Sequence, residues 1–121
     1  MILIDSPEKL EEFLKSPAAI TFIHFDWSGQ SFQSLKVFEH LERAARGETD
    51  LKVKFFRFDP EDHPSLRDWL AAKAKPGDLE LSGGGFGSVV WMKSGKVVDF
   101  ERFAAKAGPS DLLVRSLKAF S

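Results

Sequence analysis

The stretch Ile20–Ser31 reads ITFIHFDWSGQS and decides how the rest of the chain is interpreted. It begins as an almost continuous run of apolar and β-branched residues, which is typical of a strand buried on both faces of a sheet. The run breaks at Ser28-Gly29-Gln30-Ser31, and a long helical pattern follows. The stretch therefore predicts a central strand, a short turn and the beginning of a helix.

The residues before this stretch predict a short edge strand and a first helix. Met1 to Ile4 is a brief apolar run. Ser6-Pro7 combines a hydroxyl N-cap with a proline at the first helical position, which favours a helix start. Ser16-Pro17 predicts its end, because a residue before proline is pushed out of the α region.

The residues after the turn predict a long helix and a third strand. The strand is predicted over Leu51 to Asp59, and the helix is expected to stop near Gly47 because glycine commonly ends helices. The expected buried stripe of the helix is Phe32, Leu35, Phe38, Leu41 and Ala45.

The last half of the chain predicts a third helix, a hairpin and a final helix. His63-Pro64-Ser65 opens the third helix, which is expected to end by Lys75-Pro76-Gly77. A hairpin is predicted in which the strand Ser88 to Met92 pairs with the strand Val97 to Phe103 across the turn Lys93–Lys96. Gly108-Pro109 begins the last helix, whose expected buried stripe is Leu112, Leu113, Leu117 and Phe120.

The predicted order is βαβαβαββα in one domain, residues 1–121. Strands that alternate with helices and then form a hairpin indicate an α/β fold with a central mixed sheet covered by helices on both faces. The content of 43% hydrophobic and 29% charged residues is that of a globular protein. The net charge of −1 offers no electrostatic reason to expect nucleic acid or an anionic membrane as a partner.

The chain has no cysteine, which removes disulfides, thiolate metal sites and cysteine nucleophiles together. Met1 to Leu14 lacks the basic region, apolar stretch and cleavage site of a signal peptide. No apolar run approaches the roughly 18 residues that a membrane span needs. We therefore expect a cytoplasmic protein.

The strand, turn and helix start resemble the active-site segment of thioredoxins, in which Trp-Cys-Gly-Pro-Cys occupies the same junction. Trp27 matches the tryptophan, Ser28 and Ser31 stand at the two cysteine positions, and Gln30 stands at the proline position. The turn Lys93-Ser94-Gly95 is similar to the Lys-Asn-Gly type of turn in that family. The resemblance implies a thioredoxin-like fold without dithiol chemistry, because a serine hydroxyl neither ionises near neutral pH nor forms a disulfide.

Two further positions depart from the thioredoxin pattern. Phe22 stands where thioredoxins have a buried aspartate that assists proton transfer. Gly87 stands where they have a cis-proline before the fourth strand. Glycine keeps the backbone approach open there but does not favour a cis peptide.

The resemblance implies a non-catalytic binding module, an adaptor or chaperone-like factor for a protein or peptide client. It implies no cofactor, no metal and no enzymatic activity, and it does not indicate the oligomeric state. The groove of the family maps onto Trp27, Ser28, Gly29, Gln30, Ser31, Phe86 and Gly87.

Two other functions remain open from the sequence. Ser28 at a helix start could hydrogen-bond a glutathione thiolate or another small ligand, as serine does in some glutathione-using relatives of the fold. The domain could also have a structural or oligomeric role with an unused groove. Ser28 and Ser31 could equally be helix caps only.

The remaining candidate residues predict no further chemistry. A relay through Ser28, His24 and Asp26 is not expected, because alternate positions on a strand give these groups no reason to converge. The three histidines have no metal-ligand spacing. Gly83 to Gly87 is expected to be a flexible loop, not a phosphate site. The acidic cluster is predicted to be a solvated turn leading into a helix: Asp59, Glu61 and Asp62.

Overall fold

The computed structural model describes residues 1–73 and 85–121. The predicted order of elements is confirmed, and a short helix is added before the last one. The strands are β1 Ile2–Leu3, β2 Ala19–Ile23, β3 Lys54–Phe58, β4 Ser88–Lys93 and β5 Lys96–Glu101. The helices are α1 Pro7–Lys15, α2 Gly29–Glu48, α3 Pro64–Lys73, α4 Ala104–Ala107 and α5 Pro109–Ala119. The expected helix end at Lys75-Pro76-Gly77 and the glycine-rich segment as far as Gly84 lie outside the described residues.

The strands form one mixed sheet in the order β1-β3-β2-β4-β5. β2 is central and buried along its whole length, as the apolar run predicts. It pairs in parallel with β3 and in antiparallel with β4. The C-terminal end of β2 therefore opens directly onto the turn that begins α2.

Two buried clusters cover the two faces of the sheet. One contains Phe13 of α1 with Phe56 and Phe58 of β3, and Trp69 of α3 packs against it. The other contains Phe38 and Leu41 of α2 with β2, β4 and α5 residues. Helices therefore lie on both faces, which confirms the predicted layers. None of the described helices combines the length and apolar character needed to cross a bilayer.

The first helix and the hairpin follow local sequence rules closely. The Ser6 hydroxyl caps α1 by accepting a hydrogen bond from the backbone N–H of Lys9 at 3.3 Å. In the hairpin, Ser94 and Gly95 have φ angles of 51° and 82°. Two consecutive residues with positive φ give the backbone twist that suits a two-residue connection between antiparallel strands.

Two predicted helix faces are wrong in part. Phe32 is 47% exposed, and the inward positions in the first two turns of α2 are Ser31 and Ser34 instead. In α5, Leu117 is 41% exposed and Ser116 is buried. Each inward serine meets a buried polar group; the Ser116 hydroxyl, for example, accepts a hydrogen bond from Trp91 Nε1 at 2.8 Å.

Gly87 lies immediately before β4 with a φ of 86°. A Cβ atom there would be 2.9 Å from the Phe22 ring and closer still to Cβ of Ser34. Gly47 differs completely, since it lies inside the last turn of α2 with open space around it. The predicted helix stop at Gly47 is thus displaced by one residue, to Glu48.

We expect Gly87→Ala to lower the free energy of unfolding by about 2–4 kcal/mol, through positive φ and overpacking together. The matched change Gly47→Ala should raise it by about 0.5–1 kcal/mol, because alanine is the better helix former. Chemical denaturation of both variants measures the two values. Equal effects at the two glycines would contradict the close packing at Gly87.

Candidate functional site

Ser28 is the N-cap of α2 and is buried. Its hydroxyl oxygen accepts a hydrogen bond from the backbone N–H of Ser31 at 3.3 Å. The same hydroxyl donates to the backbone carbonyl of Gly85, in the segment before β4. The capping interpretation is confirmed, and the single hydroxyl hydrogen of Ser28 already has an acceptor.

Ser31 is fully buried one turn further along α2. Its hydroxyl accepts a hydrogen bond from the backbone N–H of Phe25 at 3.0 Å. It also lies 2.9 Å from Nδ1 of His24. Because the Phe25 N–H donates to the Ser31 hydroxyl oxygen, the hydrogen of that hydroxyl is free to point at Nδ1 of His24.

Ser34 continues this arrangement, and the sequence analysis did not identify it. Its hydroxyl donates to the carbonyl of Phe86 at 2.6 Å and accepts from the backbone N–H of Ala105 at 3.0 Å. Ser28, Ser31 and Ser34, here called the serine row, recur at every third residue on one helix face. That spacing was the signal that could have revealed it.

The serine row and α4 together occupy the carbonyl groups of the segment that precedes β4. Ser28 binds the carbonyl of Gly85, Ser34 binds that of Phe86, and the N–H of Ala104 donates to that of Gly87 at 3.0 Å. Three consecutive carbonyl groups are therefore satisfied within the domain. The segment is fixed against α2 by hydrogen bonds and by the close approach at Gly87.

Trp27 lies directly before the serine row, and 64% of its surface is exposed. The indole lies against Gly85, where an added Cβ would be 2.9 Å from the ring atom Cζ2 and nearer to Cη2. Its Nε1 donates a hydrogen bond to the Glu61 carboxylate, and its ring centroid is 5.9 Å from that of Phe25. Trp27 is thus exposed and held in one orientation.

Some of the other predicted groove residues are exposed at the surface, and the rest are buried below it. Gly29 and Gln30 are exposed in the first turn of α2, whereas Ser28, Ser31 and Gly87 are buried beneath. Phe86 is half-buried, with its ring 5.0 Å from that of Phe103 and 5.1 Å from the Arg102 guanidinium. The surface also includes the exposed ring of Phe32, which sequence reasoning had placed in the core.

The relay through Ser28, His24 and Asp26 does not form, as expected, but His24 and Asp26 do lie close together, so the reason given for that expectation is wrong for this pair. β2 ends at Ile23, so both residues lie where the chain turns rather than on alternate strand positions. Nε2 of His24 is 3.0 Å from Oδ1 of Asp26, although the ring nitrogen is not aligned for a hydrogen bond. The serine beside Nδ1 is Ser31 and not Ser28. Since Ser31 is fully buried, its hydroxyl cannot reach a substrate as a nucleophile.

His24 is held in its neutral form by its surroundings. Burial lowers the pKa of His24 below its usual value, and the positive charge of Arg57 lowers it further. The carboxylates of Asp59 and Asp26 act in the opposite direction but do not reverse the shift. The imidazole is therefore neutral at pH 7 and serves as a hydrogen-bonding group in the support of the turn.

The acidic cluster is a solvated turn in part: Glu61 and Asp62 are exposed as predicted, whereas Asp59 is only 7% exposed. Arg57 binds both carboxylate oxygens of Asp59 at 2.8 Å. Carboxylate oxygens of Asp26, Asp59 and Asp62 lie within 4.8 Å of one another, close enough to share a cation. The Arg57 guanidinium already supplies positive charge at this position.

Comparison with known proteins rests on structure. No protein-family model matches the chain, and no curated protein matches it by sequence. Among solved structures, the oxidised thioredoxin of Plasmodium falciparum superposes with a TM-score of 0.68 at 14% identity, over 100% of this chain and 99% of that one. The chain has a thioredoxin fold.

Two other structures support the same fold. The thioredoxin of Malassezia sympodialis gives a TM-score of 0.67 at 15% identity, covering 100% of this chain and 92% of that one. The zinc-bound form of human ERp44 gives 0.76 at 15% identity, and this chain spans about a third of it, 32%. At these identities the likeness establishes the thioredoxin fold alone. Without any cysteine, this thioredoxin-fold chain has no dithiol to exchange.

We expect the stability of the domain to fall as the pH drops below about 6.5, the usual pKa of histidine. The unfolded chain binds a proton on His24 in that range while the folded chain resists it, so protons favour unfolding. Denaturant titrations at a series of pH values measure the slope of the free energy of unfolding against pH. His24→Asn should reduce the slope, because asparagine keeps an acceptor near Ser31 without titrating. His40→Asn, at an exposed histidine on α2, is the matched control and should keep it.

Removing the Ser34 hydroxyl should destabilise the domain by about 2–4 kcal/mol, since Ser34→Ala leaves the Phe86 carbonyl and the Ala105 N–H without partners. Thermal and chemical unfolding measure this loss. Ser110→Ala, at an exposed serine on α5, should change the free energy of unfolding by less than about 0.5 kcal/mol. A neutral effect at Ser34 would show that the serine row does not hold the segment before β4.

Proposed function

We propose that this thioredoxin-fold domain binds a protein or peptide client without catalysis, through the surface around Trp27. The observation that carries the proposal is the exposed indole, held in place by Gly85 and Glu61. Tryptophan is enriched among the residues that dominate binding energy at protein interfaces. An indole that is already oriented loses little conformational freedom when a partner covers it.

We do not expect the client to bind as an added strand that pairs with the segment before β4. The carbonyl groups of Gly85, Phe86 and Gly87 are already bonded within the domain. A client therefore gains its affinity from side chains, with Trp27 as anchor and Phe32, Gln30 and Phe86 around it. The serine row supports this surface from below and takes no direct part in binding.

The small-ligand alternative has no observation in its favour. It requires the Ser28 hydroxyl to donate its hydrogen to a bound thiolate. That hydrogen is already donated to the Gly85 carbonyl, and Ser28 is 6% exposed. A glutathione ligand would first have to break a buried hydrogen bond that fixes the segment before β4.

Trp27→Ala should weaken client binding by about thirtyfold, which corresponds to roughly 2 kcal/mol for an interface anchor. Affinity capture from a native lysate, followed by titration of the captured client, measures the change. The matched control is Val114→Ala on α5, since Val114 is 63% exposed and equally apolar in character. Circular dichroism and thermal unfolding confirm that both variants keep the fold.

The competing outcomes are distinct. A client retained by Trp27→Ala but lost from Val114→Ala would move the binding surface to α5. A client retained equally by both variants would contradict a role for either face. Light scattering at several concentrations tests the oligomeric alternative, which predicts self-association that Trp27→Ala leaves unchanged.

A further inference from the structure

A group of four carboxylates lies next to Trp27 and is connected to it through Asp26 and Glu61. Asp26 directly precedes it in the chain, and Glu61 accepts the hydrogen bond from its Nε1. Asp59 and Asp62 lie with Asp26 in the group whose oxygens are within 4.8 Å of one another. These residues are called the acidic rim: Asp26, Asp59, Glu61 and Asp62.

The acidic rim carries more negative charge than its surroundings balance. Among residues 1–73 and 85–121, Arg57 is the cation in ion-pair contact with it, through Asp59 at 2.8 Å and Asp26 at 3.9 Å. His24 adds no charge at pH 7, since its pKa is lowered. Within the part of the chain that the structure describes, Asp26, Asp59 and Asp62 therefore share the one guanidinium of Arg57. The whole chain has a net charge of only −1, so this negative charge is a local feature.

The carboxylates that Arg57 does not hold closely are the exposed ones. Asp59 is buried with Arg57, whereas the Asp26 side chain is 58% exposed and Glu61 and Asp62 are exposed as well. Nε2 of the buried His24 lies 3.0 Å from Oδ1 of Asp26. Asp26, Glu61 and Asp62 thus face outward beside the indole, where a partner cation can reach them.

Two exposed aromatic side chains, Trp27 and Phe32, lie near the Asp26 carboxylate. The Trp27 indole lies against Gly85, and 64% of its surface is exposed. Phe32 is 47% exposed, and its ring centroid is 4.7 Å from that of His24, whose Nε2 is 3.0 Å from Asp26. An apolar face with a negative rim fits a partner that offers apolar and cationic groups side by side.

Arginine matches this combination better than the other cationic side chains. Its planar guanidinium stacks on an indole face and at the same time donates paired hydrogen bonds to carboxylates. Lysine offers a point charge without the plane. In an extended segment, apolar residues two positions from the arginine lie roughly 7 Å from it on the same face, and Phe32 offers an exposed apolar ring for one of them.

We propose that the client segment carries an arginine flanked by apolar side chains, with its guanidinium over Trp27 and between Asp26 and Asp62. The inference rests on the proposed function, because it names the chemistry of the partner at the same surface. Binding of such a segment is electrostatic in part. It should therefore depend on salt and on the charge of the peptide, which purely apolar binding would not.

The test uses dye-labelled peptides with varied apolar flanks around a central arginine, citrulline or glutamate. Citrulline preserves the shape of arginine and removes its charge. Fluorescence anisotropy with the wild-type domain should show arginine peptides binding at least about fivefold more tightly than their citrulline partners, as two exposed charge contacts of about 0.5 kcal/mol each predict. Glutamate peptides should bind most weakly. The advantage of arginine should disappear near 1 M salt, where the Debye length is about 3 Å.

The charge variant is Asp26→Asn with Asp62→Asn, which leaves the Trp27–Glu61 hydrogen bond in place. It should reduce the preference for arginine over citrulline, because the two carboxylates beside the guanidinium lose their charge. Its control is Glu39→Gln with Asp50→Asn, two exposed residues that change the net charge by the same amount and should keep the full preference. An arginine preference of unchanged size in the charge variant would overturn the inference.

The failure of this inference and that of the proposed function give different results. If the wild type binds arginine and citrulline peptides equally and Trp27→Ala loses both, the client surface stands and the arginine inference is overturned. If no peptide binds the wild type, the inference is overturned, and the lysate comparison of Trp27→Ala with Val114→Ala still decides the proposed function.

Discussion

The hydrogen bonds of the serine row hold the functional end of this domain together. Ser28 and Ser34 reach the segment before β4 across 57 and 52 residues of sequence, and Ser34 also reaches α4 across 71 residues. Ser31 closes the turn onto the end of β2. Buried backbone groups that lose such partners cost about 1–3 kcal/mol each, so these bonds decide whether the segment stays in place.

The serine row also explains why the chemistry of the domain lies outside the turn itself. In a thioredoxin-like arrangement the two positions at the helix start would be the reactive ones. Here both hydroxyl groups are buried and engaged in hydrogen bonds. The exposed groups near the turn are the indole of Trp27, the ring of Phe32 and the carboxylate of Asp26, and the proposed client binding depends on them.

Individual residues show how far sequence reasoning reached into the site. The cap at Ser28 was predictable because N-capping depends on residues three positions apart. The thioredoxin resemblance placed Trp27 in the groove, and its side chain is 64% exposed. Phe32 was wrongly assigned to the core because helical periodicity cannot tell which face of the first turns meets polar backbone. The approach of His24 to Asp26 was not predictable from the strand pattern, because the apolar run continues to Phe25 whereas β2 ends at Ile23.

The sequence by itself determined the order of the elements, the central buried strand and the lack of any thiol, because local propensity, periodicity and composition decide these. Only the tertiary structure decided which carbonyl groups the serines bind, that Ser31 rather than Ser28 meets His24, and that Asp26, Asp59 and Asp62 gather around Arg57. Each of these contacts joins a side chain to a group on another segment of the chain. Such contacts depend on the packing of strands, loops and α2, which short-range patterns do not encode.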